Sequence, residues 1–469
     1  MSPLRTLTVA IAASLASACT MIPEYQRPVA PVPANFPNAP QAAEATPADA
    51  IIWRDYFANA QLRDVIALAL ANNRDLRVAA LNIEQARAQY RIQRADLFPT
   101  IGATGGQTAQ RLPGDLSGSG DADVFRQYSA TVGFSAYELD FFGRIRSLNA
   151  QALELYFGTE EARRSAQISL VAEVASIWMT LAYDRERLAL ARNTYESRLK
   201  SHDLIRRSSE AGAVSALDVH QSQQLLQSAR ADVARFSSFV AQDENALALV
   251  VGAPVPADLL PDTLTDTVSD TVSAVAELPA GVPSEVLTRR PDVLQAERSL
   301  RAANASIGAA RAAFFPSISL TAAAGTASST LDGLFGGGSG TWNFIPLIRI
   351  PIFEAGRLQA SLDVAEVQRD INVAFYEKTI QTAFREVADA LADRATLAER
   401  LDARRQQVEA TQAAFRLAEA RYKGGVDSFL GLLDAQRSLY LAEQELIFVR
   451  LADATNRVAL YKVLGGGWQ

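Results

Sequence analysis

Arg94-Ala95-Asp96-Leu97-Phe98-Pro99 returns as Arg311-Ala312-Ala313-Phe314-Phe315-Pro316, 217 positions further along the chain. Asp75 and Asp292, Ala79 and Ala296, and Ile101 and Ile318 keep the same separation. From Gly143 onward the separation becomes 213. It relates Gly143-Arg144 to Gly356-Arg357, Glu173-Val174-Ala175 to Glu386-Val387-Ala388, and Gly212 to Gly425. Ser215-Ala216-Leu217 and Ser428-Phe429-Leu430, and Gly252 and Gly465, hold to it as well. Matches at a fixed spacing mark a duplicated structural unit. Two copies of one unit, each of about 190 residues, therefore organise this chain of 469.

Upstream of each hexapeptide lies a helical segment, residues 61–97 and 283–315. Downstream the period changes to two. Ile318, Leu320 and Ala322 alternate with Ser317, Ser319 and Thr321; Tyr128, Ala130, Val132, Phe134 and Ala136 alternate with Ser129, Thr131, Gly133 and Ser135. Such alternation predicts strands with one apolar and one polar face. Each copy holds two strands joined by a polar, Gly-rich loop, 113–123 and 331–340. No Gly-Lys-Ser/Thr follows Gly336-Gly337-Gly338 and no helix begins there, so the loop is not a phosphate cradle.

Proline placement points to long helices. Of 19 prolines, none falls in 114–253 or 352–469, and proline costs about 3 kcal/mol inside a helix. Arg357 to Lys423 contains neither Gly nor Pro, and Arg144 to Ala211 contains only Gly158. A helix of that length extends roughly 100 Å at about 1.5 Å per residue. Leu401, Val408, Phe415 and Tyr422 recur every seven residues, as in a coiled-coil seam; Leu432, Leu439 and Leu446 continue the spacing. Short Gly-containing turns (210–213; Gly424-Gly425) then lead into returning helices, 215–250 and 428–464. Each copy thus ends in a long antiparallel hairpin.

Composition excludes much chemistry. Two histidines (His202, His220), one cysteine (Cys19) and three methionines leave no zinc cluster, no disulfide framework and no constellation needing more than one or two imidazoles, and no cofactor is expected. A net charge of −7 speaks against nucleic acid as a partner. No paired carboxylates, triad or ligand set suggests an enzyme.

Residues 1–18 read as an export signal, with Arg5 ahead of a short apolar core. Leu15-Ala16-Ser17-Ala18-Cys19 places the single cysteine where a bacterial lipoprotein is acylated. An ordinary cleaved signal ahead of a free cysteine is the competing reading. Seven prolines between Ile22 and Pro47 make the following stretch extended. Downstream no run of 18 apolar residues occurs, so no helix is expected to span a bilayer. The expected organisation is 1–18 signal, 19–60 acylated extended segment, 61–252 first repeat, 253–282 linker, 283–465 second repeat, and 466–469 tail.

Four amphipathic strands cannot close a barrel, and an open edge in hydrocarbon leaves backbone groups unpaired at several kcal/mol each. Pooling strands from several chains removes the edges. Three chains would give twelve strands, with the hairpins continuing the cylinder on one side. Trp342 and Phe344, at the start of a strand, suit the membrane interface.

These residues resemble the TolC-type outer membrane factors, in the lipid-anchored OprM/NodT-like branch. The resemblance covers essentially the whole mature chain. It rests on Cys19 with Pro23-Glu24-Tyr25-Gln26-Arg27-Pro28, on Arg289-Arg290-Pro291-Asp292-Val293, and on Arg421-Tyr422-Lys423-Gly424-Gly425-Val426-Asp427-Ser428-Phe429-Leu430 with Leu433-Asp434-Ala435-Gln436. The ending Leu464-Gly465-Gly466-Gly467-Trp468 completes it. It implies a mainly α fold with a β-barrel: an internally duplicated chain whose coiled-coil helices form a periplasmic tunnel, and whose four strands join a trimeric 12-stranded outer membrane barrel. The implied function is the exit duct of a drug efflux pump, working with a periplasmic adaptor and an inner-membrane RND-type transporter.

The same resemblance makes Leu430 and Asp434 rings that narrow the periplasmic end, with Asp218 in the corresponding region of the first copy. Three carboxylates around one axis repel each other, attract cations and part with small helix movements. Gly212, Ser215, Gly425 and Ser428 sit at the hairpin tips, where Gly permits positive φ and Ser caps a helix start. By resemblance these tips also receive the adaptor. Asp427 is expected to cap or complement a helix dipole, and the histidines to lie on the surface. Rival readings are a duct for proteins or metal ions, the latter disfavoured by so few Met and His, and a periplasmic coiled-coil scaffold that never inserts.

Overall fold

The computed structural model describes residues 20–37, 52–116, 120–264 and 284–466. The signal segment, Cys19, the middle of the inter-repeat linker and Trp468 lie outside the described residues. The first copy runs α1 (Trp53–Tyr56), α2 (Ala60–Asn72), α3 (Arg74–Ala95), β1 (Ile101–Leu112), β2 (Asp123–Leu139), α4 (Arg144–Glu210) and α5 (Ala216–Val251). The second runs α6 (Pro291–Ala312), β3 (Ser317–Ser328), β4 (Gly340–Arg349), α7 (Arg357–Lys423) and α8 (Phe429–Val463). Both long helices have 67 residues.

Three details differ from the reading of the sequence. The helix expected over 61–97 breaks at Asn73, an extended residue (ψ 133°). Its side chain caps α3 by accepting from the Leu76 N–H at 2.7 Å, and it donates to the Val250 carbonyl at 2.7 Å. The alternation in β2 holds only to Phe134. A bulge shifts the register before Tyr137, Ala136 takes φ +53°, and its N–H is satisfied by Thr321 Oγ1 at 3.0 Å. Finally, α4 does contain one stretch long and apolar enough to cross a membrane, and 56% of that stretch is buried. The physical reason lies in the helical core, where Val171, Val174, Ala175, Trp178 and Met179 of α4 are buried.

The chain forms two compact units. One takes in the described residues up to Val29, Asn82–Glu160 and Gln295–Tyr376; the other takes in Ala30–Leu81, Glu161–Leu294 and Glu377 onward. The first holds the four-stranded antiparallel sheet, ordered β1-β2-β3-β4. The core of the second gathers Trp53, Tyr56, Phe57, Leu62 and Ile66 around Trp178, Leu247, Val458 and Tyr461. Its buried polar ends are satisfied: Trp178 Nε1 donates to the Leu259 carbonyl at 3.0 Å, and Tyr56 Oη to the Arg457 carbonyl at 2.6 Å.

Candidate channel wall and gate

Residues paired across an antiparallel sheet share a face, so the register sorts every strand side chain. One face carries Ile101 and Ala103 of β1 opposite Phe134 and Val132. It continues through Ala322, Leu320 and Ile318 of β3 to Phe344, Pro346 and Ile348 of β4. The other carries Thr104, Thr131, Ser129, Gln127, Ser319, Thr321 and Asn343, with Phe125, Ile345 and Leu347 as large apolar exceptions. The apolar face in turn becomes polar toward the β1–β2 connection, with Gln107, Arg126 and Arg111. The apolar face is bare: Ile101, Trp342 and Ile348 are 70%, 78% and 60% exposed.

The outer strands β1 and β4 each pair on one side only. Their free edges are 12 and 10 residues long, about the length that crosses a bilayer as a tilted strand. At the helix-proximal end of the polar face, Arg144 holds Glu138 with two hydrogen bonds (2.9 and 2.6 Å). Arg357 likewise holds Glu354 at 3.0 and 2.7 Å, keeping the Glu354 carboxyl below the usual range.

In the other unit, both hairpin tips turn by the same device. Gly212 and Gly425 adopt φ +75° and +70°. The N–H of the next residue, Ala213 or Val426, reaches back to the Ser208 or Arg421 carbonyl at 2.9 Å, the signature of a Schellman helix ending. A Cβ at either glycine would meet nothing within 4 Å, so it is the left-handed backbone that calls for glycine there. Ser215 starts α5 with a capping box: its Oγ accepts from the Asp218 N–H at 3.2 Å, and Asp218 Oδ2 accepts from the Ser215 N–H at 3.1 Å. Ser428 occupies the same position before α8 but makes no side-chain cap. There Asp427 is clasped instead by Arg421, with the Nη2–Oδ1 bond at 2.8 Å, which holds the Asp427 carboxyl low.

The tips pack on each other through Ile205, Phe429, Leu432 and Leu433, with Val214, Phe415 and Tyr422 alongside. A cleft of about 420 Å³ opens beside them, lined by Lys200, Leu204, Glu419, Lys423 and Gln436. Leu430 stands outside this core at 61% exposed. Asp434 is one turn further on the same helix, its side chain 62% exposed and paired with Arg437 at 2.5 Å. Asp218, by contrast, commits its carboxylate to the start of α5.

The repeat relates one further residue to this set. Leu217 is 65% exposed, close to the 61% of Leu430, and lies 213 positions before it. The repeat spacing pairs the two directly. Applied to Asp434, the same spacing leads to Gln221, not Asp218.

A sheet with one bare apolar face, one polar face and two open edges, carried with long helical hairpins, defines a membrane-channel subunit. The model of the family described as "Outer membrane efflux protein" matches residues 65–253 and 282–466, and the chain belongs to that family. It is 52% identical over 466 residues to the antibiotic efflux pump outer membrane protein ArpC of Pseudomonas putida. It has the same identity and span with the toluene efflux pump outer membrane protein TtgC of the same species. In both cases 98% of this chain and 95% of the relative are covered. The open-state structure of the Neisseria gonorrhoeae MtrE outer membrane channel superposes with a TM-score of 0.87 at 41% identity, covering 96% of this chain and 99% of that one. The protein is thus an outer membrane efflux channel component, a conduit and not an enzyme, and it works alongside the other components of an efflux pump.

Proposed function

We propose that three copies of this chain close their sheets into one 12-stranded barrel and passively conduct drugs and other small molecules outward. The observation that carries this reading is the pair of open edges on a sheet whose faces are already sorted. Joining β4 of one copy to β1 of the next satisfies both edges. It also turns the apolar face to lipid and the polar face to a water-filled lumen. Apolar cargo is in keeping with relatives named for antibiotic and toluene efflux. An inner-membrane RND-type transporter would supply the energy, and a periplasmic adaptor would dock at Gly212, Ser215, Gly425 and Ser428. Cys19 would carry the lipid anchor.

Leu430 and Asp434 are the proposed aperture. Both are exposed on one helix, away from the residues that hold the tips together. Asp218 enters as a secondary position, because opening that freed it from Ser215 would place a second carboxylate near the axis. The test is extraction of the outer membrane in mild detergent, followed by planar-bilayer recording. A heat-modifiable trimer that conducts is expected; a non-conducting monomer would instead support the periplasmic scaffold.

A further inference from the structure

The register of the sheet leaves two side chains on the apolar face that a wall turned to hydrocarbon does not call for. Of the residues it places there, only Arg111 of β1 and Arg126 of β2 are charged. Both are exposed, and among the described residues no carboxylate pairs with either. Arg126 lies opposite Ala109 and Arg111 opposite Val124, so the two are diagonal neighbours, about 7–8 Å apart. Asp123, which opens β2, stands on the other face opposite Leu112 and accepts from the Val124 N–H at 2.7 Å.

The same ladder fixes their height. Beside the long helices the face begins with Leu139, Ile318 and Ile348, and it stays apolar as far as Val132, Ala324 and Trp342. Polar groups enter beyond that level, with Thr326, then Tyr128 and Ser328. Gln107 joins them, its Nε2 donating to Tyr128 Oη at 3.1 Å. Arg126 stands one step further out, about 7 Å along the strand, and Arg111 one step beyond that. A lipid-facing arginine is strongly disfavoured at the bilayer centre and readily accommodated at its surface, while Tyr and Trp gather at the boundary between the two. Trp342 and Tyr128 thus mark the edge of the hydrocarbon, and both guanidinium groups emerge among the headgroups.

The duplication supplies a comparison. The 217-residue spacing that relates Ile101 to Ile318 takes Arg111 to Ser328. It takes Ala109, the partner of Arg126, to Thr326, whose partner is Gly340. The second hairpin is therefore built on the same pairing without either cation. The use of the arginines lies outside the sheet.

With the helices on the periplasmic side, the β1–β2 hairpin meets the outer leaflet. We infer that Arg111 and Arg126 form a binding site for the phosphate groups of lipopolysaccharide, the phosphorylated glycolipid of that leaflet. Two guanidinium forks at this spacing can share one phosphate or each take its own in bidentate fashion, while Val132 and Trp342 below them meet the acyl chains. The site occurs once per copy, on the first hairpin. It rests on the reading that the apolar face turns to lipid in a closed barrel.

The test uses the full-length oligomer extracted from outer membranes and titrated with lipopolysaccharide in mixed micelles, with the heat-dissociation temperature as the measure of binding. Arg111→Gln and Arg126→Gln are each expected to weaken binding about fivefold, the worth of one basic residue at an anionic lipid surface, and the double variant more than tenfold. Dephosphorylated lipopolysaccharide should bind wild type as weakly as the intact lipid binds the double variant. Equal affinity of the two intact lipid–protein pairs would overturn the site, as would tight binding of the dephosphorylated lipid. Inorganic phosphate or phosphatidylglycerol that stabilised wild type to the same extent would overturn the assignment to this glycolipid. Planar-bilayer recording of the same preparations separates the site from the barrel. A conducting wild-type trimer, with lipid affinity unaltered in the double variant, sinks the site alone; a wild type that forms no conducting trimer sinks the barrel and the site with it.

Discussion

Asp434 Oδ1 lies 2.5 Å from Nη2 of Arg437, one turn further along α8, with both side chains more than 60% exposed. A pair so exposed contributes about 0–1 kcal/mol to stability, so its charges can be altered without disturbing the fold. Asp434→Ala is therefore expected to leave the heat-dissociation temperature of the oligomer within a few degrees of wild type, while single-channel conductance in planar bilayers rises. Unchanged conductance would remove Asp434 from the aperture.

Leu217 should behave as a partner of Leu430. If two apolar rings narrow the opening, Leu217→Ala and Leu430→Ala each raise conductance, and the double variant exceeds both. Since neither side chain is buried, the stability cost of each stays well under the roughly 2–5 kcal/mol of a core truncation. A conductance that responds to Leu430→Ala alone would make the aperture a property of the second copy only.

Much of this architecture was legible because it is local. Absence of proline and glycine placed α4 and α7 within a residue of their observed ends, and two-residue alternation marked the strands. Where distant parts meet, local pattern carried no signal. Asn73 splits the first helix because its amide finds the Val250 carbonyl, 177 positions away. The bulge at Ala136 depends on the Thr321 hydroxyl of another strand. Glu297 of α6 accepts from Arg27 Nε, 270 positions away. Near the hairpin tips the 213-residue spacing pairs Leu217 with Leu430 from the sequence alone, and the capping box between Ser215 and Asp218 is a local pattern of the same kind.

Arg290, in the Arg-Arg-Pro-Asp stretch, has a structural role that can be measured. Only 8% exposed, it bridges Asp292 at 2.7 Å and Glu386 at 2.9 Å, and donates to the Val463 carbonyl at 2.7 Å. Arg290 is buried but its two carboxylate partners are about a third exposed, so removing the cation costs less than the roughly 3–5 kcal/mol of a fully buried pair and more than the ~0–1 kcal/mol of an exposed one. Arg290→Ala should lower the heat-dissociation temperature markedly, and Arg290→Lys, which cannot reach all three acceptors at once, should lower it as well. A thermal profile like wild type for both would show the network to be dispensable.

Asp184 of α4 and Asp243 of α5 give a prediction in pH. The two carboxyls share a hydrogen bond, and Arg187 Nη1 reaches Asp184 Oδ1 at 3.1 Å. Burial, followed by the charge of Asp184 and then that of Glu244, pushes Asp243 up to about 7. Burial raises Asp184 too, partly offset by Arg187. In the unfolded chain an aspartate releases its proton near pH ~4. Between that value and about 7 the folded pair binds more protons than the unfolded chain, so stability falls as pH rises through this window. In the second copy the positions 213 further on are Leu397 and Asn456, where Asn456 Nδ2 donates to the Ala390 carbonyl at 2.9 Å. An amide is thus accommodated at the corresponding site, and Asp243→Asn is expected to keep the fold while losing the second negative charge. Heat-dissociation temperatures between pH 5 and 8 should decline for wild type and stay flatter for Asp243→Asn, with the largest gain of the variant over wild type at pH 8. Equal slopes for the two proteins would show that the pair holds no extra proton in the folded state.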